Sequence, residues 1–268
     1  MTKEEIKERW ENYRKANSDK PDARENELSR VFELINPKEG EVIFEVGTGN
    51  GYLTLPLAQM IGESGLIVTA DISQENLNSI KEKKADKKIE TLLFSENTEQ
   101  ICPPEHCDKY DTVASIATFH HFDSRVKGTG ESGRTKAVKE FHRCLKPGGN
   151  LVLADVAHNT ISQKYFDAID NPEYCYPAGH PHDFFTVNRL KEVVENIGFV
   201  DVKVQVEYVP WKFVSEDEAK DFIHTIHNAK CTEDESFEVA KEKLGFKKVN
   251  DHYELGWELF FLTANKPK

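Results

Sequence analysis

The chain has 268 residues, with 35 Lys and Arg against 47 Asp and Glu, a formal charge of −12 with His neutral. That length suits one α/β domain with a cap, and an apolar content of 38% is too high for a disordered chain. The acid excess argues against a protein that wraps a phosphate backbone, so nucleic acid is not the expected partner.

The longest apolar runs, such as Leu66-Ile67-Val68 and Leu151-Val152-Leu153-Ala154, are strand-sized, none exceeding a few residues. They fall far short of the ~20 residues of a spanning helix, so no membrane partner is expected. The start, MTKEEIKERW, lacks the apolar stretch of a signal peptide. The five cysteines, 102, 107, 144, 175 and 231, are odd in number and match no disulfide framework. They read as reduced thiols in a cytoplasmic protein.

In chain order, residues 3–35 read as two helices, over ~3–16 and ~22–35, parted by Ser18-Asp19-Lys20-Pro21-Asp22. Asn36-Pro37 ends the second. The chain then alternates: a strand at 41–46, a glycine loop, a helix over ~51–61, a strand at 66–70, a helix at 73–84 capped by Ser73, and a strand at 89–94. A strand at 111–117, a helix over ~134–145, a turn at Lys146-Pro147-Gly148-Gly149 and a strand at 150–155 follow. Short apolar strands alternating with helices predict a parallel sheet with right-handed crossovers. Residues 156–185 read as loop-rich, 186–197 as a helix closed by Gly198, and 199–209 as a strand. Helices over ~215–227 and ~234–244 precede a last strand at 253–264.

The strongest chemical signal is Val42-Ile43-Phe44-Glu45-Val46-Gly47-Thr48-Gly49-Asn50-Gly51. A strand runs into a carboxylate, then into three glycines that let backbone approach a ligand closely. The spacing is G-x-G-x-G rather than the G-x-G-x-x-G of dinucleotide folds, and Glu45 would repel a pyrophosphate. A ligand with an ammonium group suits it better, which points to S-adenosylmethionine. Asp71 ends the second strand and can accept from ribose hydroxyls, with Ile72 offering an apolar face to adenine. Glu96 and Asn97, after the third strand, can meet the adenine amino edge. Thr118, His120 and His121 leave the fourth strand, where an acceptor would sit.

These features, in this order, resemble the class I S-adenosylmethionine-dependent methyltransferases, and among them the small-molecule branch of ubiquinone and menaquinone biosynthesis. The resemblance covers ~41–155, through EVGTGNG, Asp71, HHF and LKPGG. It implies a Rossmann-like, seven-stranded, mostly parallel sheet with helices on both faces and a reversed last strand. It implies S-adenosyl-L-methionine as cofactor, held by Glu45, Gly47, Thr48, Gly49, Gly51, Asp71, Ile72, Glu96, Asn97 and Thr118. Where the family more often has Gly-Asp, this chain has Ser95-Glu96. No Asn/Asp-Pro-Pro-aromatic motif follows the fourth strand, which argues against a DNA-base amino-methylase.

The expected layout is a helical cap over 1–36 and a methyltransferase domain over 37–268, with substrate-covering insertions around 156–185 and 210–250. His120 and His121 are candidate catalytic residues; a His can take a proton from an acceptor hydroxyl, or the pair simply holds the loop. Tyr13, His180 and His182 are candidate substrate contacts. Cys175 with His180 and His182 gives C-x4-H-x-H, too few ligands for a metal site, and no metal is expected. The expected activity is methyl transfer to oxygen or nitrogen of a small molecule. Protein or RNA methylation, ligand binding without catalysis, and a nicotinamide-dependent oxidoreductase are the alternatives. Oligomeric state is not legible.

Overall fold

The computed structural model describes residues 3–84, 86–94, 100–122, 132–175 and 184–268. Glu96, Asn97, His180 and His182 lie outside the described residues. The elements in chain order are α1 (Lys3–Asp19), α2 (Glu25–Ile35), β1 (Val42–Val46), α3 (Thr54–Met60), β2 (Leu66–Asp71), α4 (Gln74–Lys83), β3 (Ile89–Leu93) and β4 (Tyr110–Ile116). They continue with α5 (Gly133–Cys144), β5 (Leu145–Asp155), α6 (Ile161–Ile169), α7 (Val187–Ile197), β6 (Val200–Tyr208) and β7 (Trp211–Phe213). The last are α8 (Glu216–Ile226), α9 (Glu233–Leu244), β8 (Phe246–Val249), β9 (His252–Leu255) and β10 (Glu258–Asn265). Short 3-10 turns occupy Pro104–His106 and Phe119–Phe122. Among the described residues, no helix is long and apolar enough to cross a membrane.

The chain divides into two compact units. The larger, Arg30–Asp155 with Phe185–Val206 and Phe260–Lys268, holds the seven-stranded sheet, in the order β3-β2-β1-β4-β5-β10-β6. β1 runs parallel to β2 and to β4, pairing Ile43 with Ile67 and with Thr112. β10 alone is shown reversed, antiparallel to β5, with Leu262 opposite Leu153. The expected seven-stranded, mostly parallel sheet with flanking helices is therefore present. Its central strands are buried on both faces, as parallel strands between helix layers must be: Ile43, Phe44, Val68, Val113 and Leu153 are fully enclosed. Ser73 caps α4 by accepting from the Asn76 amide, and Thr186 caps α7 by accepting from that of Arg189. The order places β1 and β4 side by side with their crossovers leaving in opposite directions. The crevice at their carboxyl ends is where open α/β sheets bind ligands.

The smaller unit comprises Met1–Ser29, Val156–Phe184 and Glu207–Leu259. It packs α1, α6, α8 and α9 with a three-stranded antiparallel sheet, β7-β9-β8. Trp211 stacks on Trp257 at 4.1 Å between ring centroids, and Phe222 and Tyr165 meet these two edge-on.

Three expectations change. The last strand does not run 253–264; it splits into β9 and β10, which belong to different sheets. Gly256 explains the break, because a Cβ there would stand 2.2 Å from the Leu244 carbonyl. The loop-rich stretch 156–185 contains α6, capped by Thr160. Lys146-Pro147-Gly148-Gly149 is not a separate turn but an irregularity within β5, where Tyr110 pairs with Leu145 and Thr112 with Asn150.

Candidate active site

Three carboxylates stand at the carboxyl ends of strands in the larger unit: Asp71 on β2, Glu45 on the adjacent β1 and Asp155 on β5, across β4 from β1. All three are buried. Such burial is costly unless each group is hydrogen-bonded, so the partners define the site.

Glu45 faces the underside of the glycine loop. Its Oε2 accepts from the Thr54 hydroxyl and, at 2.8 Å, from that of Thr69. Thr48, inside the loop, shares a hydroxyl hydrogen bond of 2.7 Å with Thr69. Burial pushes the Glu45 carboxyl up to about 8, against the lowering effect of the two threonines and with a small further push from Asp71. The loop is tied to β2 through Gly47 N–H and Thr48 N–H, which both donate to Ala70 O.

Asp71 is oriented by three donors. Gly49 N–H donates to Oδ2 at 2.9 Å, Ser73 N–H to Oδ1 at 2.8 Å and the Asn76 amide to Oδ2 at 3.2 Å. Burial raises its pKa, opposed by these hydrogen bonds. Ile72 beside it is half-buried.

Thr118 meets the loop from the β4 side. A Cβ on Gly47 would stand 2.0 Å from Thr118 Oγ1, and Gly47 has φ +96°, so no other residue fits there without rearrangement. Ala117 before it adopts a left-handed conformation, φ 51°, uncommon for a residue with a side chain. The chain then turns through Phe119–Phe122. His120 Nδ1 lies 2.7 Å from Asp155 Oδ1, and His120 N–H donates to Asp155 Oδ2 at 2.9 Å. A carboxylate only accepts, so Nδ1–H donates and the lone pair of the neutral ring sits on Nε2. His121 packs its ring 3.9 Å from that of His120 and donates its N–H to Thr118 O.

The structure thus brings together Glu45, Gly47, Thr48, Gly49, Gly51, Asp71, Ile72, Thr118, His120 and His121 in one unit. Tyr13 belongs to the other unit, where its hydroxyl accepts from Arg24 Nη1 at 2.9 Å. Asp155, Thr54, Thr69 and Asn76 were not singled out by the sequence reading. For Asp155 the signal was available: like Asp71, it is an acid that closes an apolar strand.

A family model described as a methyltransferase domain matches residues 44–153. The chain is 25% identical over 193 residues to a ubiquinone/menaquinone biosynthesis C-methyltransferase UbiE of Methylococcus capsulatus, covering 63% of this chain and 71% of that one. It is 26% identical over 191 residues to a demethylmenaquinone methyltransferase of Lactobacillus johnsonii, covering 65% and 73%. The fold matches a solved putative methyltransferase of Bacillus halodurans, with TM-score 0.61, 17% identity and coverage of 90% and 99%. It also matches a phosphoethanolamine N-methyltransferase 2 of Haemonchus contortus solved with S-adenosylhomocysteine, with TM-score 0.59, 14% identity and coverage of 91% and 53%.

The chain is an S-adenosylmethionine-dependent methyltransferase. Its cofactor is S-adenosyl-L-methionine. The site of this methyltransferase fits that group on its own chemistry. It offers a pre-oriented carboxylate for a diol, a loop whose Gly47 admits no Cβ, and a second carboxylate that an ammonium would draw into its charged form.

Proposed function

We propose that the methyltransferase acts on a small molecule bearing an acidic hydroxyl, of the phenol or quinol kind. The observation that carries this reading is the His120–Asp155 pair at the carboxyl ends of β4 and β5. Asp155 fixes the ring orientation and tautomer of His120, which leaves Nε2 as the base. Deprotonating such a hydroxyl raises nucleophilicity at its oxygen and at the ring carbons beside it. Methylation at oxygen follows directly from that chemistry. The relatives named as C-methyltransferases support carbon as the second acceptor atom.

Bound S-adenosylmethionine supplies an electrophilic methyl group on a sulfonium. In this reading Asp71 accepts from the ribose hydroxyls, Glu45 compensates the ammonium, and Thr118 seals the loop against the β4 exit. His121 is a candidate contact of the acceptor, and Glu96 and Asn97 are candidate contacts of the adenine.

The test is methyl transfer from labelled cofactor to a panel of hydroquinones, phenols and amines, with a protein extract and total RNA in parallel. Mass spectrometry then locates the methyl. Transfer to a phenolic oxygen, or to carbon beside it, supports the proposal. Transfer only to amines, protein or RNA overturns it.

A further inference from the structure

Two thiols of the larger unit have no part in the reaction above. Cys102 precedes the Pro104–His106 turn, and Cys144 is the last residue of α5. They are 2% and 0% exposed. Their Sγ atoms stand 2.6 Å apart, inside ordinary van der Waals contact and approaching the ~2.05 Å of a covalent bond. Arg143 reaches over the pair: its Nη2 donates to Cys102 Sγ at 3.4 Å and to Cys102 O at 3.1 Å. Glu140 fixes that guanidinium, accepting from Nε and Nη2 at 2.8 Å each.

The cluster divides the labour of an exchange reaction. The hydrogen bond from Cys144 and the charge of Arg143 both lower the pKa of Cys102, against its burial. Cys144 is pushed the other way by the same hydrogen bond and by burial. Cys102, which the guanidinium reaches, is therefore the thiol that loses its proton more readily, and Cys144 the one that keeps it. Glu140 with the two thiols could also frame a cation. Both carboxylate oxygens are held by Arg143, however, and the guanidinium opposes a metal ion at that point.

We propose that Cys102 and Cys144 are a redox pair that closes to a disulfide on reaction with a hydroperoxide. The Cys102 thiolate attacks the peroxide oxygen; the O–O bond breaks, Cys102 becomes a sulfenic acid, and hydroxide leaves. The Cys144 sulfur then attacks the Cys102 sulfur. The S–O bond breaks, the S–S bond forms, and the Cys144 proton leaves with the oxygen as water. Two thiols and one hydrogen peroxide give one disulfide and two waters. Peroxide is small enough to reach a sulfur this enclosed, whereas a peptide disulfide is not. The closed loop contains β4 and the His120 turn, so the bond would stiffen the strand that carries the proposed base.

The test uses the full chain, reduced, desalted and exposed to stepwise hydrogen peroxide. It is then denatured, alkylated and mapped by mass spectrometry. A linked Cys102–Cys144 peptide should form before Cys107, Cys175 or Cys231 loses its alkylation, and dithiothreitol should reverse it. The oxidised protein should melt roughly 5–15 °C higher. In Cys144→Ser, a dimedone-reactive sulfenic acid should persist on Cys102; if that variant does not fold, the wild-type map decides alone. Full alkylation of Cys102 and Cys144 while exposed Cys107 oxidises would overturn the proposal. So would zinc retained stoichiometrically through chelator dialysis with both thiols shielded.

Discussion

In the smaller unit Glu27 is fully buried and both of its oxygens are bonded. One accepts from Arg24 at 2.8 and 3.1 Å, the other from the Trp211 indole. In the larger unit Glu45, Asp71 and Asp155 are buried almost as deeply, yet each stands at a strand end beside a loop. Their partners there are hydroxyls, amides and one imidazole, which orient the carboxyls without a guanidinium to pair with them. A buried acid paired with an arginine is a structural device. A buried acid held by hydroxyls and amides has no cation of its own, so a ligand's hydroxyl or ammonium groups can engage it.

Removing the structural acid should cost stability alone. Glu27→Ala leaves Arg24 buried without its carboxylate and should destabilise the protein by about 3–5 kcal/mol in urea titration. Cofactor affinity of the folded protein should stay within about twofold; a collapse of affinity would erase the contrast. Removing the proposed base should act on the rate. His120→Ala should cut turnover ~10²–10⁴-fold with cofactor affinity of the folded protein nearly unchanged, while loss of the imidazole that bonds buried Asp155 costs about 1–3 kcal/mol of stability. Asp155→Asn should retain part of the rate, since the imidazole remains while its orientation is lost.

Glu45 offers a pH test. Its folded pKa of about 8 lies above its ordinary value of 4.5, so its contribution is complete below that value and lost as pH rises through about 8. Without ligand, stability should fall on the order of 2–4 kcal/mol between pH 6 and 9, and Glu45→Gln should flatten the curve. An ammonium ligand favours the charged form, so cofactor binding at pH 7 should release up to about one proton, visible as buffer-dependent heat in calorimetry. The smallest effect is expected at the ribose acid: Asp71→Ala should weaken cofactor binding by ~1–3 kcal/mol. Unchanged affinity would remove that role.

The parallel part of the sheet was legible because its inner strands are short apolar runs set apart by helical stretches, some with a start signal, as Ser73 is for α4. The smaller unit was not, because its pieces come from three separate stretches of chain. β7 has three residues and β8 four, too short to show a period. Trp257 and Phe260 looked continuous because apolar character does not record which sheet a residue joins; the Leu244 carbonyl against Gly256 decides that. The glycine loop and Asp71 were readable as local pattern. The Asp155–His120 pair spans 35 positions and exists only once β5 lies beside β4.

The approach of Gly47 to Thr118 has a consequence for descent. These positions are 71 apart in sequence and share one small volume, so neither can change freely while the other stays. Recombination with a related gene anywhere between them would join a loop from one parent to a strand exit from another. Hybrids that carry both positions from a single parent should survive such shuffling far more often than those that divide them, which makes the pair a unit of inheritance.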